Sequence, residues 1–215
     1  MKNRRTFSFI LLTFCIISII ATAFIYPYLP DEIPIHFNVQ GEADNYGHPM
    51  MAFFTASLPL LMLGLFAIVP KLDPKKQSYE KHSKPYGIFI FAMTVFLIII
   101  HWVTILIALG IDLPISLFVP IGIGILFIII GNYMPQIRQN YTFGIRFPWS
   151  LDNPDNWRYT HRIGGYVFIL AGILIGLSAF CSPLYQSILF FVAILQIIIV
   201  PALASYLYFK KQSHK

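Results

Sequence analysis

The chain has 215 residues, of which 57% are hydrophobic and only 11% are charged, with a formal net charge of +6. A soluble domain carries about 25% charged residues, so the composition excludes an ordinary soluble protein and favours one that exposes apolar side chains to lipid. The positive charge is explained below by loop position, so nucleic acid is not expected as a direct partner. Two cysteines, Cys15 and Cys181, are too few for a disulfide framework.

Six uncharged apolar runs are long enough to cross a hydrocarbon core of about 30 Å. They predict an all-α polytopic membrane protein with six transmembrane helices, at Phe7–Tyr28, Met50–Val69, Tyr86–Leu109, Pro114–Met134, Ile163–Phe180 and Leu184–Phe209. The first run resembles a secretory signal peptide, but it is long enough to span the bilayer, so we expect it to be retained. We divide the chain into an N-terminal half, residues 1–110, and a C-terminal half, residues 111–215.

All 15 lysines and arginines lie in alternate gaps between the runs. They are Lys2, Arg4 and Arg5 before the first run, Lys71, Lys75, Lys76, Lys81 and Lys84 after the second, Arg138, Arg146, Arg158 and Arg162 after the fourth, and Lys210, Lys211 and Lys215 after the last. Short cytoplasmic loops retain Lys and Arg. The pattern predicts a plasma-membrane protein with both termini in the cytoplasm, and it makes the 71–85 linker a topology anchor.

The first outer gap, residues 29–49, forms a predicted extracytoplasmic cap. Ile33, Ile35, Phe37 and Val39 alternate with other residues, which favours a short strand with one apolar face. Three interpretations remain open for this cap. It covers the outer helix ends, or it recognises an extracellular ligand, or it binds zinc. The zinc ligands would be His36, Glu42, Asp44 and His48, although their spacing matches no standard zinc motif.

Glycines on the fourth and fifth runs predict a close helix–helix contact. Gly172 and Gly176 form the small-xxx-small pattern, and Gly124 and Gly131 form a similar strip on the fourth run. Small residues let two helix backbones approach closely. We expect the fourth and fifth helices to pack together, with homodimerisation through the same face as the alternative.

The inner segment, residues 132–165, combines Trp149 and Trp157 with four arginines. One interpretation is an interfacial layer, in which tryptophan rings lie at headgroup depth and arginines pair with anionic lipid. The segment also contains Asn, Gly and Pro residues that dictate backbone shape. The second interpretation is therefore a structured cytoplasmic loop that presents Arg138, Arg146, Arg158 and His161 to a protein or anionic partner.

Two motifs resemble those of a known family. The outer motif is Leu29-Pro30-x-x-Ile33-Pro34-x-His36-Phe37-Asn38-x-x-Gly41-x-x-Asp44, and it resembles the domain of unknown function that opens many members of the SdpI-like family. The inner motif is Gly131-Asn132-x-x-Pro135-x-x-Arg138-x-Asn140-x-x-x-Gly144-Ile145-Arg146-x-Pro148-Trp149, followed by Trp157 and Thr160-His161-Arg162-x-x-Gly165, and it is similar to that family's signature. The chain departs from the pattern at Phe147, where a small Thr is expected.

This family consists of the bacterial immunity proteins of the sporulation-delaying toxin system. The resemblance implies a non-enzymatic membrane protein, without a cofactor, that protects its own cell from a secreted peptide toxin. In the type member it also implies that a helix-turn-helix transcriptional repressor is held at the membrane. The toxin would meet His36, Phe37, Asn38, Gly41 and Asp44 of the cap. The cytoplasmic partner would meet Asn132, Pro135, Arg138, Asn140, Gly144, Arg146, Pro148, Trp149, Trp157, His161 and Arg162.

Two other classes of function, a transporter and an enzyme, are alternatives to immunity. A coupled transporter needs ionisable residues inside the membrane, and His101 is the one candidate in the apolar runs. It would be either a proton-sensing group or a neutral histidine bonded to a neighbouring helix. A membrane-embedded enzyme would use His161 as a base oriented by Asp152 or Asp155, but no nucleophile motif accompanies them.

Overall fold

A computed structural model describes residues 2–38 and 40–213, with side chains from residue 9 onwards. Val39 of the predicted strand, Lys215, and the side chains of Lys2, Arg4 and Arg5 lie outside the described part. The helices are α1 (Lys2–Ile25), α2 (Met51–Leu72), α3 (Ser78–Lys81), α4 (Ser83–Ala108), α5 (Ile115–Tyr133), α6 (Pro148–Asp152), α7 (Pro154–Ser178) and α8 (Pro183–Ser213). Two strands, β1 (Ile33–Phe37) and β2 (Ala43–Gly47), lie between α1 and α2.

Within the described residues, six helices are long and apolar enough to cross a membrane, namely α1, α2, α4, α5, α7 and α8. This confirms the predicted all-α, multi-pass membrane protein. Helix α7 begins at Pro154, well before the apolar run that starts at Ile163. The reason is local, because the Asn153 side chain accepts hydrogen bonds from the N–H groups of Asp155 and Asn156 and so caps the helix. The second half of the predicted inner loop is therefore helical.

The chain forms two compact units that are each discontinuous in sequence. Unit 1 contains Met1–Phe66 and Ile90–Val119, and unit 2 contains Ala67–Phe89 and Pro120–Lys215. The division into an N-terminal half, residues 1–110, and a C-terminal half, residues 111–215, stays a prediction.

In unit 1, the two strands form an antiparallel hairpin in which Ile33 pairs with Gly47 and Phe37 with Ala43. Ile33 is buried and packs against Ala52 and Ile105. The predicted strand is confirmed, but its single apolar face is wrong, since Ile35 is 42% exposed. The register shifts around His36 break the alternation, because a bulge reorients the side chains that follow it.

In unit 2, α5 and α7 cross at their glycines, as predicted. A Cβ atom added to Gly124 would lie 2.6 Å from the Gly172 carbonyl oxygen, and one added to Gly131 would lie 2.6 Å from the Gly165 carbonyl oxygen. The backbones therefore touch where side chains are absent. This glycine face is occupied within the chain, so the homodimer left open by the sequence has no support from it.

Replacing Gly172 with alanine should lower the free energy of unfolding by about 2 kcal/mol, the usual cost of overpacking. The added Cβ would lie 2.5 Å from the Gly124 carbonyl oxygen, so the helices must separate. Gly87→Ala is the matched control, since nothing lies within 4 Å of a Cβ there. Unfolding of the detergent-solubilised protein by heat or denaturant measures both. Equal stability of the two variants would contradict the close crossing.

Candidate functional site

Asn140 organises the segment between α5 and α6. Its side chain is buried, and its amide group donates to the carbonyl oxygens of Arg138 (2.8 Å) and Phe143 (2.9 Å). Its Oδ1 accepts from the N–H groups of Thr142 (3.0 Å) and Phe143 (2.6 Å). The side chain of Asn140 thus supplies hydrogen bonds to backbone groups that would be paired with each other in a helix or a sheet. We call Ile137–Phe147 the inner loop.

Asp73, which directly follows α2, binds the inner loop although it lies far from it in sequence. Its buried carboxylate accepts from the N–H groups of Lys75 (2.7 Å) and Tyr141 (2.9 Å) and from the Thr142 hydroxyl (2.7 Å). Burial raises the pKa of Asp73, but these hydrogen bonds outweigh it and hold the pKa below the ordinary aspartate value. The interpretation of residues 71–85 as a mere topology anchor is therefore wrong, because this linker also holds the loop.

Further contacts fasten the same linker to the loop. Lys75 Nζ donates to the Gln139 side-chain oxygen (2.6 Å), and the Ser78 hydroxyl donates to the Gln139 carbonyl (2.8 Å). The Gln139 side-chain amide donates in turn to the Leu151 carbonyl (2.7 Å) in α6. The Tyr79 hydroxyl contacts the Thr142 hydroxyl, and burial raises the pKa of Tyr79, which favours its neutral form.

His161 fastens the other side of the loop to α7. The Ile145 N–H donates to its Nε2 (3.1 Å), so the ring proton lies on Nδ1, which contacts the Trp157 carbonyl (2.9 Å). Gly144 has φ +110°, and a Cβ there would lie 2.5 Å from His161 Nε2. The buried Trp157 stacks on His161 at 4.1 Å and donates from Nε1 to the Ile137 carbonyl (2.8 Å). A neutral imidazole is thus built into the fold.

The predicted partner-binding residues divide into three groups by burial. Asn140, Trp157 and His161 are buried and hold the loop in shape. Trp149 is half-buried against Tyr206, with ring centroids 5.2 Å apart. The residues on the surface are Asn132, Pro135, Arg138, Gly144, Arg146, Pro148 and Arg162.

The exposed partner-binding residues include three arginines, namely Arg138, Arg146 and Arg162. Arg146 Nη1 donates to the Tyr141 carbonyl (2.7 Å), which fixes this guanidinium against the loop. The backbone N–H of Arg138 donates to His82 Nδ1 (3.2 Å), which places Arg138 next to His82. The segment is therefore a shaped loop that presents basic groups, and this geometry agrees with the second of the two sequence interpretations.

The structure brings all five predicted cap residues together in the hairpin of unit 1. His36 Nδ1 lies 2.5 Å from an Asp44 carboxylate oxygen, with the two side chains 66% and 43% exposed. Asn38 Oδ1 accepts the Glu42 N–H (3.0 Å) and closes the turn. Gly41 has φ +82°, and its backbone packs closely against Ser116. A Cβ atom added to Gly41 would lie 2.9 Å from the Ser116 backbone nitrogen. Phe37 is half-buried.

The zinc interpretation of the cap is wrong. His36 faces Asp44, while His48 Nδ1 accepts the Met50 N–H (3.2 Å). Glu42 accepts from the Asn38 amide (3.2 Å). Among the described residues, no group of three or more His, Cys, Asp or Glu side chains could hold a metal ion.

His101 is a buried bridge between the membrane helices of unit 1. Its Nε2 lies 2.9 Å from the Thr22 hydroxyl in α1, and its Nδ1 lies 2.9 Å from the Thr55 hydroxyl in α2. The neighbouring Trp102 donates from Nε1 to the Ser18 hydroxyl (3.0 Å). These contacts agree with the interpretation of a histidine bonded to neighbouring helices.

The enzymatic dyad weighed from the sequence is not formed. Both ring nitrogens of His161 are bonded to backbone groups of Ile145 and Trp157. Asp155 pairs with Arg158 one turn along α7. Neither Asp155 nor Asp152 orients the imidazole in the way a general base requires.

Similarity to known proteins agrees with these two structured segments. Residues 136–206, which include the whole inner loop, match the SdpI/YfhL protein family. Residues 13–63, which include the hairpin, match a domain of unknown function, DUF1648. The chain is similar to the immunity protein SdpI of Bacillus subtilis (strain 168), with 31% identity over 195 residues. The aligned region covers 91% of this chain and 92% of that protein. No solved structure matches the chain.

Proposed function

Because the chain belongs to the SdpI/YfhL protein family, we propose that it is an immunity protein that makes its own cell resistant to a secreted antimicrobial peptide toxin. The observation that carries this proposal is similarity to a named immunity protein along nearly the whole chain, at 91% coverage. The similarity includes both the hairpin and the inner loop, the two segments whose backbones are built by specific side-chain contacts.

The toxin-facing surface in this proposal is the hairpin. Its exposed His36 and Asp44 pair with each other, and Asn38 and Glu42 close the turn beside them. A hairpin held in this way presents polar groups without the entropy cost of ordering a flexible loop. The charge pattern predicts that this hairpin lies outside the cell.

The partner-facing surface in this proposal is the exposed part of the inner loop. Its arginines Arg138 and Arg146 are exposed, and Trp149 in the following helix α6 is half-buried. Arginine and tryptophan are enriched among residues that dominate binding energy. A cytoplasmic helix-turn-helix repressor with an acidic surface would fit these cations. Toxin at the hairpin would then change how strongly the loop holds the repressor.

Expression in a toxin-sensitive bacterium without its own immunity gene tests the proposed protection. Cells that make the chain should survive a toxin concentration that kills the parent strain. The protein must be detected in the membrane fraction of the same cells. Unchanged killing with the protein present in the membrane would overturn the proposal.

Replacing Arg146 with alanine should lower protection about tenfold, the effect of losing a binding contribution of about 1.4 kcal/mol. Arg158→Ala is the matched control, because Arg158 is also an exposed arginine of the segment but pairs with Asp155 in its own helix. Survival against toxin dose is measured at equal amounts of membrane-inserted protein. Equal protection by both variants would show that Arg146 is not needed for protection.

Labelling with a membrane-impermeant maleimide tests the proposed orientation. Cys181, in the turn before α8, is exposed, whereas Cys15 is buried. Intact cells should therefore be labelled at Cys181, and Cys181→Ser should abolish the signal. Glu80→Cys in the Cys181→Ser background should react only after permeabilisation, because residue 80 lies in the linker assigned to the cytoplasm. Labelling of this Glu80→Cys variant in intact cells would reverse the topology.

A further inference from the structure

An open groove lies between the first turns of α7 and the last turns of α8. Its volume is about 620 Å³, and it is lined by Tyr159, Leu207, Tyr208, Lys211 and Gln212. A hydrogen bond from the Asn153 side chain to Gln212 Oε1 (2.8 Å) joins the two helices next to it. All of these residues belong to unit 2.

The groove combines aromatic walls with positive charge. The rings of Tyr159 and Tyr208 stack at 5.0 Å. The Arg162 guanidinium carbon lies 6.0 Å from the centre of the Tyr159 ring, and Lys211 is exposed at the edge. None of the described lining residues is acidic, and Asp155 nearby is paired with Arg158. The groove therefore attracts anions.

The position along α8 places this groove at the depth of lipid headgroups. The helix has 31 residues, which corresponds to a length of about 46 Å, longer than a hydrocarbon core of about 30 Å. Its uncharged stretch ends just before Lys210 and Lys211, the basic residues of its last turn. Basic side chains that follow an apolar run lie at the membrane interface.

We propose that this groove binds the phosphate of an anionic phospholipid. Lys211 contacts the phosphate, and the Arg162 guanidinium next to the lining Tyr159 adds positive charge beside it. The tyrosine hydroxyls donate to headgroup oxygens, and an acyl chain lies along Leu207, which is 61% exposed. Basic pockets beside transmembrane helices recognise lipid headgroups in this way. The exposed Leu207 favours a lipid over free phosphate, because a soluble anion would leave this apolar wall in water. The proposal depends neither on the toxin nor on the repressor.

Native mass spectrometry of the full chain in detergent, with phosphatidylglycerol or phosphatidylcholine added, tests the site. We expect preferential binding of phosphatidylglycerol, and about a fivefold loss of its affinity in Lys211→Gln and in Arg162→Gln, since one basic residue contributes about that factor near an anionic lipid. Lys76→Gln is the matched control, because it removes an exposed lysine of unit 2 that lies outside the groove.

Three outcomes would overturn the proposal. The first is equal loss of affinity in Lys76→Gln, which would indicate unspecific surface charge. The second is equal binding of both lipids. The third is displacement of phosphatidylglycerol by inorganic phosphate at millimolar concentration, which would assign the groove to the soluble anion. Lys211 is exposed, so its replacement should not unfold the protein, and circular dichroism of the same sample verifies this.

Discussion

Replacing Asp73 with alanine is expected to lower the free energy of unfolding by about 3 kcal/mol. The change removes the acceptor for the N–H groups of Lys75 and Tyr141 and for the Thr142 hydroxyl. A buried donor left without a partner costs about 1–3 kcal/mol, and hydrogen bonds to a charged group are among the stronger ones. Denaturant unfolding of the purified protein measures the loss.

The control for this change is Asp152→Ala, which removes an exposed carboxylate from the same unit at the end of α6 and should leave stability within about 0.5 kcal/mol.

The pH dependence of stability provides a second test of the role of the Asp73 charge. The pKa of Asp73 is lowered in the folded protein, so its contribution is fully present above about pH 4 and is lost as pH falls through the folded-state pKa. The stability advantage of the wild-type protein over Asp73→Ala should therefore be constant above about pH 4 and shrink as the pH falls below that value. An advantage that does not change with acidification would show that the carboxylate charge is not the cause.

The transmembrane part of the fold could be predicted from the sequence because each span is a long run without charge. The crossing of α5 and α7 could also be predicted, since Gly124 and Gly131 have the same spacing as Gly165 and Gly172. Both features depend on which residue types follow one another along a short stretch of chain, so the sequence alone reveals them. The early start of α7 was missed because its first turns are polar, and hydropathy detects contact with lipid rather than helical hydrogen bonding.

The candidate site was only partly predictable for a different reason. Asp73 contacts Tyr141 and Thr142, which are far away in sequence, so no local pattern indicates the pairing. The available signal was weak: an acidic residue in a linker whose other charges are mostly basic. Trp157 and His161 were expected to face a partner because they belong to the motif that resembles the family signature. They are buried instead, since the polar start of α7 gives Trp157 Nε1 and His161 the backbone of the inner loop as a partner.

Gly144→Ala is expected to destabilise the protein by about 3 kcal/mol. A residue other than glycine at positive φ costs about 1–2 kcal/mol, and the added Cβ would lie 2.5 Å from His161 Nε2. Because both ring nitrogens of His161 are bonded, the ring moves only if the Ile145 N–H loses its acceptor. Loss of that partly buried hydrogen bond adds about 1–3 kcal/mol. Thermal unfolding of the detergent-solubilised protein measures the sum.

Gly110→Ala separates the two causes. Gly110 also has positive φ, at +85°, but nothing lies within 4 Å of a Cβ there, so this variant carries only the backbone cost. The excess loss in Gly144→Ala is then the contact with His161. A second change, His161→Ala, removes the ring that the new Cβ strikes, and the two substitutions should cost clearly less together than the sum of their separate effects. Additive costs would mean that Gly144 is needed for its backbone conformation alone.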